Sequence, residues 1–336
     1  MSLSAVFRAD AGPEIGIGHV MRCLALAETL LARGLACALA TAEAGLAAVP
    51  PARLAGIAIL PAAAKRPGTD LLVVDHYGLG TAYERDAHAW ARSVLAIDDL
   101  ANRAHDCDLL LDTAIGRSAR DYAGLVPAHC VFLLGPDFAL LRPSFRAARE
   151  RRLPRERRAA RRVLVTLGGT DPKGLTLTVL EGIAQAKAGL EIEVVLPAKA
   201  PGFAAVAVRC AALGARLHES VDDLAALMAL ADLSIGAGGT TAWERACLGL
   251  PTLLVEMAAN QRGNVANLTS AGAAIAIEPV TAESIAGAVA ALAADTDRLD
   301  TMSCAAAALC DGAGAERVAD AILQRLTEPG TRRRAS

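Results

Sequence analysis

Six residues between positions 8 and 22 have the chemistry of a site: Arg8, Asp10, Gly16, Gly18, His19 and Arg22. They stand in RADAGPEIGIGHVMRC. The preceding AVFRAD (5–10) has the form of a short strand. In HVMRCLALAETLLARG, Val20, Leu24, Ala27 and Leu31 recur at helical spacing, and Gly34 stands where a helix stops. Arg8 and Asp10 are therefore expected at a strand's carboxyl end and His19 at a helix N-terminus. Gly16 and Gly18 permit tight turns and close approach of a ligand to the backbone. The positive end of the helix dipole disfavours an imidazolium, leaving a neutral imidazole able to accept a proton. The plainer alternative is that His19 only caps the helix. Arg8, Asp10 and Arg22 converging on the same end favour chemistry. The spacing is not GxGxxG, and no acidic residue closes a clear second strand about 20 residues on, which disfavours a dinucleotide site and an oxidoreductase.

A second cluster is DLSIGAGGTTAWERACLG (232–249). Gly236, Gly238 and Gly239 leave backbone N–H groups uncovered at a helix start, a ready place for phosphate oxygens. Thr240 and Thr241 add hydroxyl donors or cap the helix, and Glu244 is placed to accept hydrogen bonds from a ribose diol. The plain alternative is a glycine turn with an N-cap and a surface glutamate. Asp75-His76-Tyr77 closes an apolar run; Tyr77 could position a sugar, whereas His76 alone is more often structural. Asn260-Gln261 follows another strand, with ordinary capping as the alternative. Gly168 and Gly169 in LGGTD either pack near a diphosphate or simply turn the chain. Asp98 and Asp99 also end a strand, where capping or domain contacts explain them as well as chemistry does. Asp106-Cys107-Asp108 resembles a metal-binding DxD but has no supporting ligand cluster, so no metal site is expected.

The elements that must position these residues alternate between strands and helices. CALAT (37–41), AGIAIL (55–60), DLLVVD (70–75), SVLAIDD (93–99), DLLLD (108–112) and VFLLG (131–135) read as strands, several of them continuous apolar runs of the buried parallel kind. Residues 146–162, RAARERRLPRERRAARR, read as a solvated connection; they lack the interleaved aromatics of a nucleic-acid patch. A second alternation follows. RVLVT, EIEVVL, DLSIGAGG, PTLLVEM and AAIAIE are its strands, with helices at 175–187, 222–231, 241–249, from 260 and at 281–295. The pattern predicts an α/β protein of two Rossmann-like, doubly wound parallel-sheet domains, 1–150 and 151–328, with a disordered tail over 329–336. Ligands of such sheets sit outside the strands' carboxyl ends, and two facing sheets would enclose a cleft.

Seven motifs then run in order from near residue 8 to near 275: RADAGPEIGIGHVMRCLALA, VVDHYGL, IDDLANRAHDCDLLLD, LLGPDFALLRPSF, VTLGGTDPKGLT, IGAGGTTAWERACLGLP and the Asn260-Gln261 pair. In them the chain resembles the family of hydrolases that remove UDP from UDP-2,4-diacetamido-2,4,6-trideoxy-β-L-altropyranose in pseudaminic acid biosynthesis. That family is itself similar to the peptidoglycan transferase that adds N-acetylglucosamine to lipid I. The resemblance implies a GT-B fold, with His19 of GHxxR as the base that activates or orients water and Tyr77 and Asn260 holding the sugar. It implies a diphosphate on the 236–241 loop, a ribose on Glu244, and no metal or cofactor. Water would attack the anomeric carbon with inversion, giving UDP and free 2,4-diacetamido-2,4,6-trideoxy-L-altrose. The expected substrate-binding set is Arg8, Asp10, Gly16, Gly18, Arg22, Asp75, Gly168, Gly169, Gly236, Gly238, Gly239, Thr240, Thr241, Glu244 and Gln261. One departure stands after the 108–112 strand, where Thr113-Ala114 replaces the family's Gln-Asn. The competing readings are a GT-B glycosyltransferase using a UDP-sugar and a nucleotide-sugar binding protein without turnover.

Composition sets the outer limits. Across 336 residues, 54% are hydrophobic and 21% charged, enough apolar material for one or two cores and against disorder. Alanine inflates the hydrophobicity, and no uncharged apolar run approaches the about 20 residues of a spanning helix. A net charge of −2 gives no global attraction to nucleic acid or acidic membranes. The start, MSLSAVFRADAGPE, lacks a basic, apolar leader, so a cytoplasmic location is expected. The eight cysteines are scattered without a CxxC pair, as expected of reduced, mostly buried thiols.

Overall fold

The computed structural model describes residues 3–12, 16–46, 49–151, 158–169, 171–221 and 223–328. These form two compact units. The first runs to Pro143 and takes in the segment from Ala313 onward; the second is Ser144–Gly312.

The first unit is built on β1 (Ser4–Ala9), β2 (Ala36–Thr41), β3 (Ile57–Pro61), β4 (Thr69–Asp75), β5 (Ala91–Ile97), β6 (Leu109–Asp112) and β7 (Val131–Leu134). Among the described residues they make a parallel sheet in the order β3-β2-β1-β4-β5-β6-β7. Apolar runs such as the Leu71–Val74 core of β4 are explained by layers on both faces. One face carries the helix Gly18–Ala32, whose Val20, Cys23, Leu24, Ala27 and Leu30 pack on Phe7, Leu39, Leu71 and Val73. The other face buries Val6, Leu72, Val74, Val94 and Leu110 with Trp90 and Tyr122. Strand order reverses between β1 and β4, and their register sets Ala9 opposite Asp75. That reversal opens a crevice at the carboxyl ends, where Asp10, His76 and Tyr77 follow.

The second unit repeats the plan with β8 (Arg162–Thr166), β9 (Glu191–Val195), β10 (Arg216–His218), β11 (Leu233–Ala237), β12 (Thr252–Val255) and β13 (Ala274–Ala276). Its parallel order is β10-β9-β8-β11-β12-β13, with the reversal between β8 and β11 and Thr166 opposite Gly236. Gly168-Gly169 and Gly238-Gly239 leave the sheet at that point. The helices Leu175–Ala186 and Ala282–Ala293 pack closely because Gly182 has no side chain; a Cβ there would lie 2.6 Å from Ile285 Cβ.

Two expectations are corrected. The helix Gly314–Thr327 belongs to the first unit rather than to a domain spanning 151–328. Its Val318, Ala319, Ile322 and Leu326 form one stripe buried in the core beside Leu24 and Leu30. Each large aliphatic buried there contributes about 1.5–3 kcal/mol. Arg325 adds an ion pair to Asp108 at 2.8 Å. The arginine-rich 146–162 segment is not all solvated connection: Pro143–Arg151 is a helix that buries Phe145 and Ala148. Its Arg149 donates to the carbonyls of Cys247 (2.6 Å), Cys310 (3.0 Å) and Ala307 (3.0 Å). Residues 152–157 and the 329–336 tail lie outside the described residues. The helices Phe203–Leu213 and Thr296–Leu309 were not anticipated; both are alanine-rich, so their apolar faces have little contrast. Among the described residues, no helix is long and apolar enough to cross a membrane.

Candidate active site

In the first unit the reversal between β1 and β4 holds a pocket of about 190 Å³ lined by Asp10, His19, Asp75, His76, Tyr77 and Gly78. His19 is the second residue of its helix, and Ile17 rather than His19 occupies the N-cap. Its ring turns to β4, with Nδ1 2.5 Å from Asp75 Oδ1. The Asp75 side chain is 1% exposed. Arg22, one helical turn after His19, grips the same carboxylate through Nε (2.6 Å) and Nη2 (2.7 Å). Burial alone would raise the Asp75 carboxyl, but the charge of Arg22 and the hydrogen bonds from Arg22 and His19 outweigh it. Asp75 is held well below the usual carboxylate range. Arg22 is burdened by the same burial, and the charge of Asp75 holds it firmly protonated. An ionised carboxylate only accepts hydrogen bonds, so the short contact places a proton on His19 Nδ1. In the neutral ring Nε2 then carries the lone pair, the tautomer of a general base.

Tyr77 stands edge-on to His19, with ring centroids 4.8 Å apart and planes at 86°. Its hydroxyl donates to Asp99 at 3.0 Å, and Arg22 Nη1 reaches Asp99 at 3.4 Å. Arg103 lies over the Tyr77 ring, 5.7 Å from its centroid, and pairs with Asp98 at 3.1 Å. Asp10 accepts from Arg8 (2.8 Å) and from the amide of Ala42 (3.0 Å), and His76 Nε2 lies 3.2 Å from its carboxylate. The Arg8 hydrogen bond is the largest influence on Asp10; against the opposing effect of burial it brings the carboxyl down to about 2. Gly16 has φ +72° and exchanges backbone hydrogen bonds with Gly12, closing the turn before Gly18 opens the helix.

Of the expected residues, His19, Asp75, Tyr77 and Asp10 thus meet in one pocket, with Arg22 and Arg8 bonded behind them. Asp99 and His76 join them although neither was in the expected set. The adjacent aspartates at 98 and 99 diverge where the chain bends after β5. Asp98 is buried and accepts from Tyr122, whereas Asp99 is 28% exposed and meets Arg22 and Tyr77. Asp106 and Asp108 bind Arg85 and Arg325 respectively. Among the described residues, no group of three or more His, Cys, Asp or Glu side chains is placed to hold a metal ion.

The remaining expected residues lie in the second unit. Gly236, in β11, stands against the side chain of Arg245, which fills the space a Cβ would need. Arg245 is fully buried, donates to the Ala237 carbonyl and to Thr241 Oγ1 (3.2 Å), and is pushed down to about 10 by burial. Gly238 and Gly239 run beneath Gln261 and Val265, and Asn264 Nδ2 donates to the Gly238 carbonyl at 2.6 Å. Thr240 is the N-cap of the helix Thr241–Cys247 but makes no side-chain cap bond. Glu244 is half-buried rather than a surface residue. Asn260 lies in the 3-10 turn Ala259–Gln261, and Gln261 Oε1 accepts from the Met257 amide at 3.1 Å. Gly168, at φ +94°, and Gly169 lead from β8. Asp171 then accepts from the amides of Leu175 (3.0 Å) and Thr176 (2.9 Å) at the next helix start. Arg245 and Asn264 were missed; the legible signal was a glycine-rich strand end followed by polar residues spaced along two helices.

Residues 163–322 match the model of the glycosyltransferase family 28 C-terminal domain. A Campylobacter jejuni UDP-2,4-diacetamido-2,4,6-trideoxy-β-L-altropyranose hydrolase is 31% identical over 191 residues, 55% of this chain and 67% of that protein. The chain belongs to the GT-B family of UDP-sugar transferases and hydrolases. The spore coat polysaccharide biosynthesis protein SpsG of Bacillus subtilis is 33% identical over 144 residues, 42% of each chain. The fold is that of Acinetobacter baumannii MurG, with TM-score 0.64 and 16% identity over 96% of this chain and all of that one. The GT-B assignment made from the motif order is therefore upheld at the level of fold.

Proposed function

We propose that this enzyme moves the glycosyl group of a UDP-sugar onto a hydroxyl activated by His19, and that the hydroxyl is that of water. The observation carrying this reading is the 2.5 Å contact between His19 Nδ1 and the buried, ionised Asp75, which prepares Nε2 as the base. In the proposed step Nε2 takes a proton from water as its oxygen attacks the anomeric carbon. The bond from that carbon to the diphosphate oxygen breaks, its electron pair leaves with UDP, and configuration inverts. The amides of residues 236–241 would meet the diphosphate, Glu244 the ribose, and Tyr77 and Asn260 the sugar. Preorganised donors of this kind stabilise a leaving anion without reorganisation. The 31% identical Campylobacter jejuni hydrolase supports the substrate of the proposal, UDP-2,4-diacetamido-2,4,6-trideoxy-β-L-altropyranose, giving UDP and the free diacetamido sugar of pseudaminic acid synthesis. No metal or cofactor enters the proposal.

The second reading, transfer to an acceptor other than water, has the wider support among the comparisons, because the C-terminal half matches a glycosyltransferase model. The same dyad would deprotonate an acceptor alcohol. UDP release in the absence of any acceptor separates the two: turnover supports hydrolysis, and turnover only after an acceptor is added supports transfer.

A further inference from the structure

Two histidines line the pocket, which invites the view that one acts as base and the other as acid. Their hydrogen bonds differ. His76 Nδ1 accepts the amide of Gly78 at 2.9 Å, so this nitrogen carries a lone pair and no proton. The proton of the neutral ring is then on Nε2, which lies 3.2 Å from Asp10, a carboxylate kept ionised by Arg8. His76 is thus the Nε2–H tautomer, opposite to His19, and neither ring nitrogen is left to exchange a proton. The Gly78 contact depends on a missing side chain, since a Cβ there would lie 3.1 Å from His76 Cε1 and 3.3 Å from Nδ1. The residue between these two anchored neighbours is Tyr77, whose ring meets His19 and whose hydroxyl meets Asp99.

We propose that His76 is a positioning residue: by accepting the Gly78 amide it fixes the turn that sets Tyr77 edge-on to His19, leaving the pocket one base. The catalytic part rests on the reading of His19 as that base; the positional part does not. Two side chains separate the two bonds. Asparagine can accept from the Gly78 amide, as in an Asx-turn, but cannot reach Asp10. Alanine keeps neither.

The test is nuclear magnetic resonance on the full chain at pH 7, followed by kinetics. Long-range ¹H–¹⁵N spectra are expected to show His76 protonated at Nε2 alone. A nuclear Overhauser effect between the His19 and Tyr77 rings is expected in the wild type, lost in His76→Ala and restored in His76→Asn. A proton on His76 Nδ1, or a ring contact that persists in His76→Ala, overturns the proposal without any substrate. With UDP-2,4-diacetamido-2,4,6-trideoxy-β-L-altropyranose, His76→Ala is expected to lower kcat by about 10- to 100-fold, the scale of a small misplacement. His76→Asn should recover most of that loss, and adding Tyr77→Phe to His76→Ala should cost little more. Additive losses, or a His76→Asn variant as impaired as His76→Ala, would contradict positioning through Tyr77. A chain inactive on this sugar sinks the substrate reading and leaves the resonance result to decide the role of His76.

Discussion

Replacing Asp75 by asparagine changes one atom type at the centre of the proposed machinery. The carboxylate accepts from His19 at 2.5 Å and from Arg22 at 2.6 and 2.7 Å. With the asparagine oxygen on Arg22 Nε, its NH₂ takes the place of Oδ1, faces His19 Nδ1 and donates to it. The imidazole is driven to the Nε2–H tautomer, and the base loses its lone pair on the pocket side. The same replacement behind a catalytic histidine in a serine protease costs about 10⁴ in kcat. Asp75→Asn is therefore expected to lower kcat about 10³- to 10⁴-fold, about 4–5.5 kcal/mol of barrier. Folding suffers less. Breaking a buried pair costs about 3–5 kcal/mol, and the retained Arg22 bond sets the lower end. At about 2–4 °C per kcal/mol for a unit of this size, Tm should fall by about 6–12 °C. The assay is UDP release at a temperature where both proteins are folded, with Tm read by calorimetry. An Asp75→Asn protein within tenfold of wild-type kcat would refute the dyad.

Acid stability offers an independent check. The Asp10 carboxyl is depressed in the folded state to about 2, so its stabilising contribution is complete above the unfolded value near 4. It is lost as pH falls through about 2. Asp10→Asn should therefore be less stable than wild type in urea at pH 7, and the gap should close between about pH 4 and pH 2; a constant gap would contradict the Arg8–Asp10 pairing. In the second unit, Gly236→Ala places a methyl against the buried Arg245 guanidinium and should destabilise by about 2–3 kcal/mol. Combined with Arg245→Ala the losses should be less than additive in a denaturant double-mutant cycle; strict additivity would mean the two residues do not touch.

The alternation of strands and helices is legible because strands buried on both faces, such as TDLLVVD, read as unbroken apolar runs. Strand ends follow from it, and with them the placing of Asp10, Asp75 and Tyr77 at strand ends and of His19 at a helix start. What could not be read depends on packing at a distance. The amphipathic stripe of Gly314–Thr327 announces a helix, but nothing local says which sheet it covers. The register of Ala9 with Asp75 decides that His19 meets a carboxylate across 56 positions. Asp98 and Asp99 look alike in sequence, and only the backbone direction after β5 sends one inward and the other to Tyr77. Arg245 lies in the middle of a glycine-to-helix motif whose obvious features are the glycines. Its partner is the empty space at Gly236, which no pattern of residue types displays.

The most direct measurement incubates the protein with UDP-2,4-diacetamido-2,4,6-trideoxy-β-L-altropyranose in ¹⁸O-water containing EDTA, beside His19→Ala, and follows both products by mass spectrometry. The account predicts release of UDP without an added acceptor, ¹⁸O in the free sugar, undiminished turnover in EDTA and loss of turnover in the variant. Label in UDP, or full activity in His19→Ala, would contradict attack at the anomeric carbon by water activated at His19.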